Sequence, residues 1–456
     1  MYVSTYLTLQ TALSGVEAAQ EELATTGNNI ANANTPDYED EQVTLNPSLP
    51  LTITAGNDSH GMQLGTGVNA SGVVNLGNVY MDNAFRQQNQ AASNASTTQN
   101  YMQQIQQALG EPSATGINAQ LAQFWQDWNN LADNPTSTSA KQAVVDDGQD
   151  IADSVNTLSG ELTYIDGQAQ QQYADLTANQ SGGQVYDDVQ QIQSLNVAIQ
   201  QATEGGLPDN QLVDQRSAAI DDLSSLASVT VTNNTDGTVN IGFGGIANLV
   251  QGTTINWPAG PGFTFPGAAS TVGGTLGALL SMTQAGGQID QALTQLDGVA
   301  TSLANEVNTT VAGSTSGVTD FFQITTGGAP GSAAASLTVD PALVANPALV
   351  PTTDTTDAGD NDLAMAVSQL SGGSADQAYQ AFVQQVGGWA QSANNSATTQ
   401  SSLLTQVTNQ RESAEGVDLS QEMTNLIEQQ QAYQASAKVM NAFSTVMDSL
   451  MSTVGQ

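Results

Sequence analysis

From Asp418 to Val454, apolar positions recur in alternating steps of four and three. Leu419, Met423, Leu426, Gln430, Tyr433, Ala437, Met440, Ser444, Met447, Met451 and Val454 hold that spacing, and only Gln430 and Ser444 are polar. Such a spacing keeps one stripe facing a partner over several heptads and predicts a long helix of coiled-coil type. Asp418 stands where an N-cap belongs, with Gln421 placed three residues on to close a capping box. Ile427, Val439, Phe443, Val446 and Leu450 widen the stripe beyond a single seam, so the helix must pack against something. The start of the chain offers a match. Tyr6, Leu9, Leu13, Val16, Leu23 and Ile30 keep the same steps, with Gln20 and Gly27 as the exceptions. Two stripes that bury each other can offset the ordering entropy that neither helix overcomes alone.

Between the termini the period changes twice. Residues 43 to 80 carry short β-like pieces among Gly, Pro and Asn. Helical patterns follow over Met81–Leu109, Ile117–Leu131, 139–176, 185–202 and 210–227, punctuated by Gly110-Glu111-Pro112, Gly182-Gly183 and Gly205-Gly206-Leu207-Pro208. At Val229 the period becomes two: Val229–Thr232 and Val239–Phe243 flank Asp236-Gly237, a strand–turn–strand signal. Leu249-Val250, Thr254-Ile255 and Phe263-Thr264-Phe265 extend the β region. Gly277 to Val311 predicts one helix, with Ile289, Leu293, Leu296, Val299, Leu303 and Val307 on its buried face. Residues 313–360 predict a loop-rich β segment that includes Ser336–Val339. Helices return over Asn361–Leu370 and Ala375–Arg411 before the final one.

The expected fold is mainly α and multidomain, with long terminal helices paired as a coiled coil, a helical-bundle rod domain and a small inserted β domain. Residues 1–35 with 416–456 make the terminal-helix core. Residues 36–228 with 277–312 and 361–415 make the rod domain. Residues 229–276 with 313–360 make a β-rich outer region.

Composition removes several function classes. There is no Cys, hence no disulfide framework, thiolate metal site or Cys nucleophile. The single His, His60, sits in the turn Asn57–Gly61 with no second His to share a metal. No run of about 18 apolar residues suggests a membrane span. The first basic residue is Arg86, so the N-terminus lacks the charged region of a secretory signal. Five basic residues (Arg86, Lys141, Arg216, Arg411 and Lys438) stand against 43 acidic ones, a net charge of −38. Nucleic acid and anionic membranes are poor partners for that surface. Charged residues nevertheless make up only 11% of the chain, whereas a salt-adapted surface is richer in Asp and Glu. Scarce bases with modest acids suit a surface facing acid, where carboxylates protonate near pH ~4.

The candidates for chemistry are few. Phe124, Trp125 and Trp128 stand at helical spacing, the pattern of a core more than of a binding platform. Asp354, Asp357, Asp360 and Asp362 lack the spacing and closing Glu of a calcium loop. Asp146-Asp147, Asp187-Asp188 and Asp221-Asp222 fall in helical patterns, where neighbours diverge by about 100°; they are expected on solvated faces. The glycine runs at Gly242–Gly245 and Gly273-Gly274 are followed by no Gly-Lys-Ser/Thr and read as turns.

Three stretches carry a resemblance. Ala12-Leu13-Ser14-Gly15, then Asn28-Asn29-Ile30-Ala31-Asn32-Ala33-Asn34-Thr35-Pro36 and Tyr38, resemble the N-terminal signature of the bacterial flagellar rod, hook and hook-associated proteins. Where that family usually has Gly between Pro and Tyr, this chain has Asp37. Gly110–Ser113, Phe124, Leu131-Ala132, Pro135, Lys141–Ala143 and Leu212–Arg216, with Leu223 and Leu226, resemble the helical region of the hook-associated members. Gly416–Leu419, Glu422-Met423, Asn425–Ile427 and Gln430–Val439 are similar to the family's C-terminal signature.

The resemblance implies a structural, non-enzymatic role without cofactor or metal, at the junction of flagellar hook and filament. The alternative is another axial component, a second junction protein or a part of the distal rod or hook. It implies export as an unfolded chain by the flagellar type III route without a cleaved signal, and a final place outside the cell. Implied partners are the hook protein, the second hook–filament junction protein, further copies of the chain stacked head to tail, and an export chaperone on the C-terminal helix. The residues expected to pack subunits are Leu9, Leu13, Val16, Leu23 and Ile30 with Leu419, Met423, Leu426, Tyr433 and Met440.

Overall fold

A computed structural model describes residues 2–53, 62–178, 182–206, 209–258, 265–357 and 359–454. The turn expected around His60, Leu207-Pro208 and the expected strand residues Thr54, Phe263 and Thr264 lie outside them.

The chain opens with α1 (Tyr2–Asn32), which runs straight through the Asn-rich stretch. Next comes a long antiparallel ladder of β1 (Glu41–Pro47) with β4 (Val68–Asn75), extended by β2 (Leu51–Ile53) paired with β3 (Met62–Leu64). Three helices follow: α2 (Val79–Leu109), α3 (Ile117–Asp133) and α4 (Thr138–Leu176). Then come α5 (Gln184–Glu204) and α6 (Asn210–Leu226). A four-stranded antiparallel meander is next: β5 (Val229–Asn233), β6 (Val239–Phe243), β7 (Ile246–Gln251) and β8 (Thr254–Ile255). Helices α7 (Ala269–Val272), α8 (Gly274–Thr283) and α9 (Gln288–Val311) return to the bundle. The helix expected to be continuous from Gly277 breaks because Gly286 takes φ 75° and its N–H donates to Asp290, capping a new start.

Residues 313–360 contain less strand than expected: a two-residue ladder of β9 (Phe322–Gln323) with β10 (Thr338–Val339), separated by α10 (Ser332–Ser336). The Ala-rich run there prefers helix, leaving Thr338-Val339 of the expected strand. After α11 (Pro341–Ala345) and α12 (Asp362–Ser368) come α13 (Ser374–Glu415) and α14 (Leu419–Val454).

Two apolar cores form. The larger joins α3, α4, α9 and the first half of α13. Phe124, Trp128, Phe321 and Phe322 meet there in tilted and edge-on pairs, with centroids 5.6–6.2 Å apart. The aromatic cluster is therefore core. The smaller core packs Val185, Val189 and Ile192 of α5 and Ile220 and Leu223 of α6 beneath Val239, Ile241, Phe243 and Val250 of the meander.

These cores redraw the expected division. The stretch 313–360 buries Phe321, Leu337, Val339 and Leu343 in the larger core, whereas 229–276 belongs to the smaller one; they are not one outer region. The β1–β4 ladder leaves the rod as well. It packs along α1, with Val68 N–H donating to Ser14 Oγ at 3.3 Å.

Beyond the large core, α13 returns along α2. Ala95, Ala393 and Ala397 are buried in this seam, with side-chain bonds Gln88–Gln400 (2.7 Å) and Gln99–Asn394 (2.7 Å). Between Ala397 and Arg411 no residue of α13 is buried.

Candidate assembly interface at the chain termini

Helices α1 and α14 pack against each other, and two contacts fix their sense. Gly15 faces Ser436, whose Oγ would lie 3.0 Å from a Cβ there, and Asn29 reaches Glu422, so the helices run antiparallel. Asp418 caps α14 through its Oδ1, which accepts from Ser420 and Gln421 N–H at 2.8 and 3.3 Å. The Gln421 amide donates forward to Asn425, along the helix.

The pair closes on small side chains. Ala12, Val16, Ala18, Ala19, Thr25, Thr26 and Asn29 are the buried residues of the later part of α1. Of the ten residues expected to pack subunits, Val16 alone is buried. Leu23, Ile30, Leu426, Tyr433 and Met440 are half-buried. Leu9, Leu13, Leu419 and Met423 are exposed, Met423 by 59%. Leu419, Met423 and Ile427, four apart, line an outward row on α14, and Val439, Val446, Met447 and Met451 continue the apolar exposure. The stripes thus do not zip onto each other as expected. The β ladder covers another side of α1, small residues fill the pair, and much of the apolar surface stays outside.

The family-signature residues Asn28, Asn29, Ile30, Ala31, Asn32, Asn34, Thr35, Pro36 and Tyr38 build the base of this pair. Asn29 is 1% exposed. Its Nδ2 donates to Asp40 Oδ1, to the Glu41 carbonyl (2.9 Å) and to Glu422 Oε2 (3.3 Å). Its Oδ1 accepts from the Tyr38 hydroxyl (2.9 Å) and Glu41 N–H (3.2 Å). One side chain therefore ties α1, β1 and α14 together, and these bonds outweigh the poor helix propensity of the segment. Asn28 Nδ2 adds bonds to Tyr38 and Glu41, and Asn32 Nδ2 bonds back to Asn28. Ala31, Asn34, Thr35 and Pro36 are exposed and shape the turn out of α1. Burial, with Glu41 beside it, pushes the Tyr38 phenol well above its usual range.

Asp37 takes φ 57°. That left-handed conformation explains why Gly suits the position, and its carboxylate lies 3.9 Å from Arg411. Asp37→Ala is expected to lower stability by about 1 kcal/mol, since a Cβ without a local polar bond is disfavoured there. Asp37→Gly is expected to be neutral or stabilising. Thermal melts of both variants check this, and equal melts for the two would refute the backbone argument.

A second cluster fastens this end to the rod, and pattern reading did not single it out. Arg411 donates to Asp221 Oδ2 (2.6 Å) and Glu415 Oε2 (3.2 Å) and stands as an ion pair 3.3 Å from Asp82 Oδ1, with its guanidinium carbon 4.9 Å from the centre of the Phe85 ring. Arg86 shares Asp221 at 2.6 Å and donates to Ser217. Arg216, of the Leu212–Arg216 motif, donates to Asn196 Oδ1 (2.9 Å) and the Gly237 carbonyl (2.7 Å), pinning the β5–β6 turn; burial pushes its guanidinium down to about 10. Three of the five basic residues of the chain are thus buried at one joint. Their scarcity was the available signal. Asp221 lies at 6% exposure, so the expected solvated face does not hold for it; Asp147 and Asp188 are half-buried, while Asp146, Asp187 and Asp222 face solvent. The carboxylates of Glu39, Asp82 and Glu415 lie within 4.8 Å of one another, and Arg411 supplies positive charge between them.

Comparison with known proteins follows the same anatomy. Residues 9–38 match the family described as flagella basal body rod protein, and 409–453 match flagellar basal body rod FlgEFG protein C-terminal. Residues 102–319, holding most of the rod, match the flagellar hook-associated protein FlgK helical domain. Flagellar hook-associated protein 1 of Bacillus subtilis is 28% identical over 508 residues, spanning 99% of each chain. Over almost its whole length the chain is thus similar to flagellar hook-associated protein 1. The Escherichia coli flagellar hook-associated protein 1 is 24% identical over 97% of this chain and 99% of its own. The solved flagellar hook junction protein FlgK from Burkholderia pseudomallei aligns with 53% of this chain and 47% of its own, at a TM-score of 0.47 and 24% identity. Both terminal family matches fall on the helices that build the interface described above. No described helix is long and apolar enough to cross a membrane.

Proposed function

We propose that this chain is a structural subunit of the flagellum, placed outside the cell, that joins hook to filament by head-to-tail assembly through its terminal helices. The observation that carries the reading is the outward apolar row on a helix pair already closed by small residues. A large exposed apolar surface marks an interaction site, and repeated heterologous contacts generate open helical stacks. Further copies of the chain, the hook protein and a second junction protein are the partners this surface serves. Before assembly the α14 row suits an export chaperone that cradles an amphipathic helix. Passage through the type III export route as an unfolded chain fits a sequence without cysteines.

Met423→Asp tests the reading most cleanly, because Met423 is exposed in the monomer. The variant is expected to fold with an unchanged melt and yet to be absent from purified hook–basal bodies, with motility lost. Leu426→Asp should do the same while loosening α1, against which Leu426 is half-buried. Normal incorporation and swimming of Met423→Asp would sink the proposal.

A further inference from the structure

We propose that the joint between the terminal helices and the rod is an acid-tightened latch, in which buried Glu39, crowded by Asp82 and Glu415, locks the segment after α1 onto α2 and α13 when it is protonated. Glu39 is 6% exposed and Glu415 2%. The backbone after β4 runs directly against it, since a Cβ on Gly77 would overlap the Glu39 carboxylate. The backbone is stitched around it: Asp40 N–H donates to the Glu415 carbonyl (2.8 Å), and Asn78 N–H to Glu415 Oε1 (2.8 Å).

Asp214, Asp82, Glu415 and Arg411 act on Glu39 directly, and the charges on and next to these groups come from every element around the joint. The segment leading into β1 brings Asp37, Asp40 and Glu41. Asp82 and Arg86 come from α2; Asp214, Arg216 and Asp221 from α6; Arg411 and Glu415 from α13. Behind Asp40 stand Glu422 of α14 and Glu22 of α1. Asp221 already takes bonds from both Arg86 and Arg411, and Arg216 is turned to Asn196 and Gly237. Carboxyl groups therefore outnumber the guanidinium groups left to meet them. A buried excess of that sign is relieved by taking up protons.

The direction follows from the same crowding. Burial, then Asp214, Asp82 and Glu415, push the Glu39 carboxyl up to about 8 against the pull of Arg411; Asp214 and Asp40 rise to about 6, chiefly through burial. A carboxyl raised above its unfolded value of about 4 contributes stability that is complete in acid and lost as pH rises through the folded value. The latch is therefore tightest in acid, below about pH 4, loosens steadily as pH rises from there, and has lost this contribution at about 8 and above. Such a joint is looser at the neutral pH of a cell interior than in an acid medium outside it, in keeping with the scarcity of bases along the chain.

Hydrogen exchange on the full-length monomer, corrected for intrinsic rates, tests this from about pH 5 to about pH 9, independently of whether the subunit assembles as proposed. Peptides covering 33–45 and 411–422 are expected to gain protection as pH falls, by up to about tenfold per pH unit for one linked proton. Glu39→Gln should flatten that profile and keep the joint protected at high pH. Asp147→Asn, which removes a raised carboxyl on α4 outside the joint, should leave the slope as in wild type. If Glu39→Gln folds poorly, Glu415→Gln takes its place and should reduce the slope. An unchanged slope in the foldable variant, or wild-type protection that grows toward alkaline pH, overturns the latch.

Discussion

Arg411→Met is expected to lower the unfolding free energy by about 3–5 kcal/mol, the usual result of leaving buried carboxylates without their cation. Arg411 is 8% exposed and is held by Asp221, Asp82 and Glu415, three carboxylates on three helices. Its loss leaves Asp221 with Arg86 alone and strands Glu415 beside Asp82 and Glu39. Beyond the bonds that Asp40 and Asn78 make to Glu415, little else secures that end of α13, whose preceding turns bury nothing. Arg411→Lys should recover only part of the loss, because one ammonium cannot reach carboxylates that Nε and Nη1 approach from different sides. Urea denaturation with tryptophan fluorescence and local exchange at 78–86 measures both. A Met variant within about 0.5 kcal/mol of wild type would place Arg411 among ordinary surface ion pairs.

Asn29→Ala should cost about 3 kcal/mol at the terminal pair, with the rod core left unchanged. The substitution deprives Asp40, Glu422 and the Glu41 carbonyl of one shared donor, and leaves the Tyr38 hydroxyl and Glu41 N–H without their acceptor. Asn29→Asp should be worse at neutral pH, since it sets a new carboxylate beside Asp40 and Glu422, and milder in acid. Limited proteolysis that releases α1 and α14 while sparing residues 100–400 is the expected signature. Equal cleavage of wild type and variant would show that other contacts carry the joint.

Much of the architecture is legible where two local signals agree. The end of α2 at Leu109 follows from Gly110 and Pro112, and the start of α14 from Asp418 with an apolar run behind it. The buried face of α9 follows from period alone, from Ile289 to Val307. Reading fails where tertiary contacts decide. Gly286 breaks an apolar run that has the same period on both sides. Ser336 and Leu337 look like strand residues but close α10, with the Leu337 carbonyl accepting from Asn156 of α4, so only Thr338 and Val339 are left to pair as strand. Asn29 looks like a helix breaker until its five bonds to four residues on other segments are known. The interface was legible as apolar stripes, but not which residues turn inward, because that depends on the β ladder occupying a side of α1. The joint was hardest of all: Asp82, Arg86, Asp221 and Arg411 are far apart in sequence and share no periodic signature.

The seam of alanines and amides between α2 and α13 has a mechanical consequence. Small side chains make shallow ridges, so two long helices in such a seam resist sliding far less than interlocked leucines would. The aromatic core at one end and the ionic joint at the other are stiff by comparison. Under torque, strain should therefore gather in the shaft between them. That gives the subunit a compliant coupling between two rigid fittings, able to flex along its length while its terminal contacts hold.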